Sequence, residues 1–169
     1  CNVVTKISMA LSDFELAGIK IRSVSRFFST PCFPVGAGPD FVNAVVSIDW
    51  HGDADSLLCE LQALEARHGR ERSQRWGQRT LDLDLIAMGT SVLPDVKEFS
   101  RWRDLPLDRQ LVESPKKLIL PHPRLQDRAF VLVPLADIAG AWCHPISGVR
   151  VRQMVNALSP GDVEAVRPL

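Results

Sequence analysis

An α+β fold, with hairpin-paired strands covered by helices, is what the order of elements in this 169-residue chain predicts. Three observations carry it. Residues 41–50, FVNAVVSIDW, alternate with period two, as a strand with one buried face does. Residues 80–89, TLDLDLIAMG, do the same. Between them Leu57, Leu58, Leu61 and Leu64 fall on one stripe at helical spacing. Taken from the start, the order is helix, strand, strand, helix, strand, helix, with no internal repeat and no linker.

The elements follow in sequence. Ile7, Met9, Ala10, Leu11, Phe14 and Leu16 mark an amphipathic helix over 7–16, and Gly18 ends it. IKIRSVSRFF (19–28) is β-branched and aromatic and reads as a strand. STPCFPVGAGPD (29–40) holds three prolines and two glycines in twelve residues and is a loop, long enough to be functional. In the strand 41–50, Val42, Ala44, Val46, Ile48 and Trp50 form the expected core face. Phe41, Asn43, Val45, Ser47 and Asp49 face the other way. Asp53 or Asp55 caps the next helix, which runs into a cation-rich loop, HGRERSQRWGQR (68–79). The strand 80–89 then sets Leu81, Leu83, Leu85 and Ala87 on one side, with Thr80, Asp82, Asp84 and Ile86 on the other. Residues 90–117 form a mixed-charge insertion with a helical turn or two near 96–103. A stiff connection, 118–130, leads to helices at 130–140 and 149–158, the last closed by Ser159-Pro160.

Bulk composition narrows the function classes. The chain is 46% hydrophobic and 24% charged, the make-up of an ordinary globule with one domain or one domain and an appendage. Its 20 basic and 20 acidic residues cancel, so no general field draws it to nucleic acid or to an anionic membrane. Any anion must be held by a local cluster. Cys1, Cys32, Cys59 and Cys143 are scattered without a CxxC pair, which points to isolated thiols in a reducing compartment. No apolar run approaches the ~20 residues of a membrane span. The expected location is cytoplasmic.

Chemistry concentrates in three stretches. Asp82 and Asp84, at i and i+2 on an extended segment, share a face with Cα atoms ~6.6–7 Å apart, and two carboxylates so placed suit Mg²⁺. A bare DxD on an alternating strand is more often just a wet face. Here Arg70, Arg72, Arg75 and Arg79, with Trp76 among them, immediately precede it, and arginine forks suit phosphate oxygens. The second stretch pairs Phe41 with Asn43 on the face away from the core, an aromatic plane beside an amide that suits a flat heteroaromatic ligand. A satellite cluster under the 29–40 loop is the plainer explanation of that pair. In the third, PHPRLQDRAF, two prolines hold His122 in an extended backbone, and Arg128 and Phe130 follow.

On STPCF…GPDFVNAVV, GRERSQRWGQRTLDLDLI and LPHPRLQDRAFVLVPL, the chain resembles the 6-hydroxymethyl-7,8-dihydropterin pyrophosphokinase family from about residue 7 to its end. The resemblance implies a ferredoxin-like α/β sandwich with a mainly antiparallel sheet covered by helices, in a single domain spanning 1–169. It implies transfer of pyrophosphate from ATP to the hydroxymethyl group of the pterin, releasing AMP, in folate biosynthesis. Asp82 and Asp84 are then expected to hold two Mg²⁺ ions bridging the ATP phosphates. Arg70 and Arg79 are expected to grip the triphosphate and stabilise charge during transfer. Thr30, Pro31, Phe33, Phe41, Asn43, Trp76 and Phe130 would bind the pterin, with Phe41 and Phe130 sandwiching its ring. Gln62, Glu65, Arg72, Lys117, His122 and Arg128 would bind ATP. The loops 29–40 and 68–79 would be lids. A folate-pathway neighbour is the one protein partner considered.

Three departures from the family pattern stand out. The family's first strand, with its Gly-Ser-Asn-like turn, has no counterpart here, so the sheet is expected to lack a central member. Gln78 occupies a position where the family carries Pro or a small residue. The segment 95–116 is longer than compact members need. Two rival readings remain, a metal-dependent nucleotidyl transferase and an RNA-binding module with exposed aromatics. Zero net charge and two carboxylates beside the platform argue against RNA.

Overall fold

A computed structural model of the chain describes residues 3–32, 38–69 and 81–169. Its elements run α1 (Val3–Leu16), β1 (Lys20–Val24), β2 (Phe28–Thr30), β3 (Phe41–Asn43), β4 (Val46–Asp49) and α2 (Ala54–Arg67). There follow α3 (Val96–Arg103), α4 (Leu107–Val112), a 3-10 turn (Leu125–Asp127), α5 (Ala129–Ala139), α6 (Val151–Ala157), α7 (Pro160–Glu164) and β5 (Arg167–Pro168). The mixture of helices with antiparallel ladders is α+β, as the sequence predicts. The chain packs as two compact units, Cys1–Val24 with Val46–Leu85, and Ser25–Val45 with Ile86–Leu169.

In the first unit, α1 ends at Gly18, whose φ of +73° is open to glycine. The Gly18 N–H reaches the Glu15 carbonyl and the Ile19 N–H reaches that of Phe14, so the last turn's carbonyls are satisfied as a Schellman closure requires. Asp53 caps α2 by accepting the Ser56 N–H at 2.7 Å. β1 and β4 pair antiparallel from Lys20↔Asp49 to Val24↔Val46, with a bulge at Arg22. Phe14, Ile19, Leu57, Leu61 and Leu64 form the core, and Ile48, Trp50, Leu83 and Leu85 pack on it. His68, at the end of α2, meets Asp13 of α1 at 2.8 Å.

In the second unit β2 lies between β3 and β5. The register is Phe28↔Asn43 to Thr30↔Phe41 on one side and Phe28↔Pro168 on the other. Leu125, Val131, Leu132 and Leu135 pack with Val151 and Met154 of α6 to make its main core. Phe99 and Trp102 of α3 are buried with Ile119 in a further cluster, which Val92, Leu105 and Ile146 flank. The insertion 95–116 therefore contributes a core of its own to this unit and is not a loose appendage.

Several sequence expectations need correction. The strand 19–28 is two strands, and so is 41–50. The break lies where buried Ser25 takes over the ladder. Its N–H donates to the Val45 carbonyl, its hydroxyl accepts the Val45 N–H at 2.9 Å, and that hydroxyl donates to the Arg26 carbonyl. Val45, assigned to the outer face, packs instead on the Leu125–Leu132 cluster, because the break resets the alternation. The strand read at 80–89 is not formed among the described residues: 81–88 pair with no strand there. The Leu83 N–H donates to the Glu65 side chain at 2.7 Å and the Ile86 carbonyl accepts the His122 N–H, so side-chain and loop partners stand where a ladder was expected. The alternating exposure survives without the ladder from Leu81 to Leu85 only; Ile86, assigned to the outer face, packs on the Leu125–Leu132 cluster. Helix α1 begins at Val3 and not at residue 7. Ser159-Pro160 opens a further helix, with the Ser159 hydroxyl capping it and Pro160 in its first turn.

Candidate functional site

The carboxylate segment is set by α2. Leu81 is buried, and Leu83 and Leu85 pack against Leu57, Leu61 and Leu64. With the leucines held inward, Asp82 and Asp84 are both exposed. Glu65, in the last turn of α2, is only 1% exposed and accepts the backbone N–H of Leu83, the residue between the two aspartates. Gln62, one turn earlier, is exposed. Among the described residues no group of three or more His, Cys, Asp or Glu side chains gathers as a metal cage. The hard anionic oxygens of Asp82 and Asp84 fit Mg²⁺, which binds through a carboxylate or two together with water and phosphate.

The other predicted residues with described positions lie in the second unit. On the sheet, Phe41 is 54% exposed at the start of β3, an unusual position for a large ring. Thr30, directly across from it, is buried. Asn43 donates an amide N–H to the Thr30 hydroxyl at 2.7 Å, which fixes the amide plane. Pro31 follows on the exposed side of the strand end. Cys32 then exchanges hydrogen bonds with Gly38 (3.0 Å to its carbonyl, 3.1 Å from its N–H) and so ties together the two ends of the 33–37 stretch. Phe130, in the first turn of α5, is 40% exposed, and the Arg128 guanidinium lies 5.6 Å from its ring centre.

His122 is held at both ends. Its backbone N–H donates to Ile86 at 2.7 Å, and its ring Nδ1 accepts the Arg124 N–H at 3.1 Å. That bond leaves the ring proton on Nε2. Burial, with Arg128 and Arg124 adding like charge, pushes the His122 pKa down to about 4, so the ring is neutral at physiological pH. Arg124 is itself lowered, first by burial and then by Arg128. Lys117 is exposed. Arg70, Arg72, Trp76, Arg79 and Phe33, together with Gln78, lie outside the described residues.

Two contributors were passed over in the sequence. Arg124 orients the His122 ring, a role legible in principle because an N–H two residues on can reach a histidine Nδ1. Asp137 on α5 receives Arg26 in a bidentate bridge (2.9 and 2.7 Å) and also the Arg26 backbone N–H, fastening the helix of Phe130 to the approach to β2. Nothing local announces a pair 111 residues apart.

A profile of the 7,8-dihydro-6-hydroxymethylpterin-pyrophosphokinase family matches residues 2–140. The chain belongs to that family. A 2-amino-4-hydroxy-6-hydroxymethyldihydropteridine pyrophosphokinase of Synechocystis sp. is 35% identical over 168 residues, 99% of this chain and 74% of the relative. The protein of the same name from Pseudomonas aeruginosa is 40% identical over 136 residues, 79% of this chain and 71% of the relative. The folic acid synthesis protein fol1 of Pneumocystis carinii is 29% identical over 167 residues, and the match covers 20% of that longer protein.

Proposed function

We infer that the chain carries out the reaction of its family, transfer of the intact pyrophosphoryl group of ATP to the hydroxymethyl oxygen of 6-hydroxymethyl-7,8-dihydropterin in folate synthesis. The new bond joins that oxygen to the β-phosphorus, the bond to the α-phosphate oxygen breaks, the hydroxyl proton is released, and AMP leaves. The chain acts as one pyrophosphokinase domain over 1–169, of the ferredoxin-like α/β sandwich class. The observation that carries the assignment of roles is the exposure of Asp82 and Asp84 on a segment whose leucines are locked in the core.

Asp82 and Asp84 hold the Mg²⁺ that accompanies ATP, two ions on this reading. When bound, Mg²⁺ neutralises the polyphosphate and the charge that develops in transfer. Arg70 and Arg79 are assigned to the phosphates during transfer, and Arg72, Gln62, Glu65, Lys117 and Arg128 to nucleotide binding. His122, neutral and protonated on Nε2, serves as a hydrogen-bond donor to a phosphate oxygen and not as a cation. Phe41 and Phe130 stack on the pterin, while Asn43, held by Thr30, reads its edge together with the Thr30-Pro31 backbone. Phe33 and Trp76 complete that set. No side chain need be a strong base, because a loose transition state depends on alignment and charge neutralisation. Cys32, Cys59 and Cys143 form no disulfide, which accords with a reducing cytoplasm. No helix among the described residues is long and apolar enough to cross a membrane. The match to a longer folic acid synthesis protein supports a folate-pathway enzyme as neighbour.

Product analysis tests the reaction. Incubation with ATP, Mg²⁺ and 6-hydroxymethyl-7,8-dihydropterin gives equal amounts of AMP and pterin pyrophosphate and no free pyrophosphate. Release of free pyrophosphate would instead mark a nucleotidyl transferase.

A further inference from the structure

We propose that Glu65 is a positioning residue that sets the Asp82–Asp84 pair by gripping the backbone between them, and that its contribution to nucleotide binding comes through the metal ligands and not through contact with ATP. This rests on the reading of Asp82 and Asp84 as ligands of Mg²⁺. Glu65 is 1% exposed at the end of α2, and its Oε1 accepts the Leu83 N–H at 2.7 Å. A side chain so deeply buried is poorly placed to meet a ligand arriving from solvent.

The location of that bond gives it leverage. Residues 81–88 have no ladder among the described residues to fix their register, yet two carboxylates must be presented together. Leu83 is held twice, by its side chain against Leu57, Leu61 and Leu64 and by its N–H on Glu65. A rotation of this one peptide would turn both flanking aspartates. Groups that orient metal ligands from behind cost about 10–100-fold in metal affinity or activity when removed.

The test compares Glu65→Ala with Glu65→Gln, because glutamine keeps an acceptor oxygen for Leu83 while losing the charge. Three quantities are read: Mn²⁺ affinity by electron paramagnetic resonance with α,β-methylene ATP present, hydrogen exchange at the Leu83 amide, and the separate KM and kcat values. Glu65→Ala is expected to weaken Mn²⁺ binding roughly 10–100-fold, speed exchange at Leu83, and leave the KM for the pterin unchanged. Glu65→Gln is expected to bring Mn²⁺ affinity and exchange at Leu83 back toward wild type. Normal Mn²⁺ affinity in Glu65→Ala, or equal damage in the two variants, overturns the proposal. Should Glu65→Ala fail to fold, exchange at Leu83 in the wild type and in Glu65→Gln decides, since an unprotected amide in either contradicts the bond. Failure of the underlying metal assignment is separately visible, because Asp82→Ala and Asp84→Ala would then keep their Mn²⁺ affinity.

Discussion

His122 shows how a residue's chemistry is decided by what surrounds it. Two prolines stiffen its backbone, Arg124 occupies its Nδ1, and burial beside two arginines holds its pKa near 4. The linkage has a definite sign. Between about pH 6.5, where the unfolded histidine titrates, and about pH 4, the unfolded chain binds a proton that the folded chain refuses. Stability contributed by this group is therefore intact at neutral pH and lost as the pH falls through that window. His144 acts in the same direction, since burial and then Arg103 lower its pKa, and its Nδ1 accepts the N–H groups of Ile146 and Ser147. Nitrogen-detected NMR should show His122 as the neutral Nε2–H tautomer from pH 8 down to pH 5. A pKa of 6 or above would contradict this reading. The prolines were legible in the sequence as a sign that the ring's direction matters. Its tautomer was passed over, although the Arg124 N–H that sets it lies only two residues on.

At the scale of elements, amphipathic helices were the easiest to read and long strands the hardest. The stripe of α2 and the stop at Gly18 follow from local spacing alone, while the choice of cap between Asp53 and Asp55 does not, and the structure shows Asp53. The two long strands fail at Ser25 and Val45, where a buried hydroxyl replaces a ladder bond, an event that period-two counting cannot register. Residues 81–88 carry a strand pattern without a ladder among the described residues, since alternation reports which side chains are buried and not where the N–H groups go. The insertion was likewise only half legible: its helix near 96–103 was foreseen, but its attachment was not. Phe99 is fully buried there beside Trp102 and Ile119. Truncation by Phe99→Ala should cost about 3–5 kcal/mol in urea unfolding. A loss near zero would mean that the segment is not part of the unit's core.

For the whole molecule, family and reaction follow from motifs scattered along the chain, and the structure adds how each is supported. The sequence showed that Asp82 and Asp84 share a face and that Phe41 and Asn43 share another. It did not show that Glu65 grips Leu83, that Thr30 steadies Asn43, or that Asp137 fastens α5, because each of those bonds joins residues far apart in the chain. The central claim is that the exposed carboxylate pair serves the pyrophosphoryl transfer and not the fold. Its most direct measurement is the rate of AMP release from ATP and 6-hydroxymethyl-7,8-dihydropterin, with Mg²⁺ varied, for the wild type, Asp82→Ala and Asp84→Ala. Both substitutions are predicted to abolish transfer at every Mg²⁺ concentration, while the thermal midpoint and the affinity for the pterin without nucleotide stay near wild type. Near-normal turnover in either variant would contradict the account.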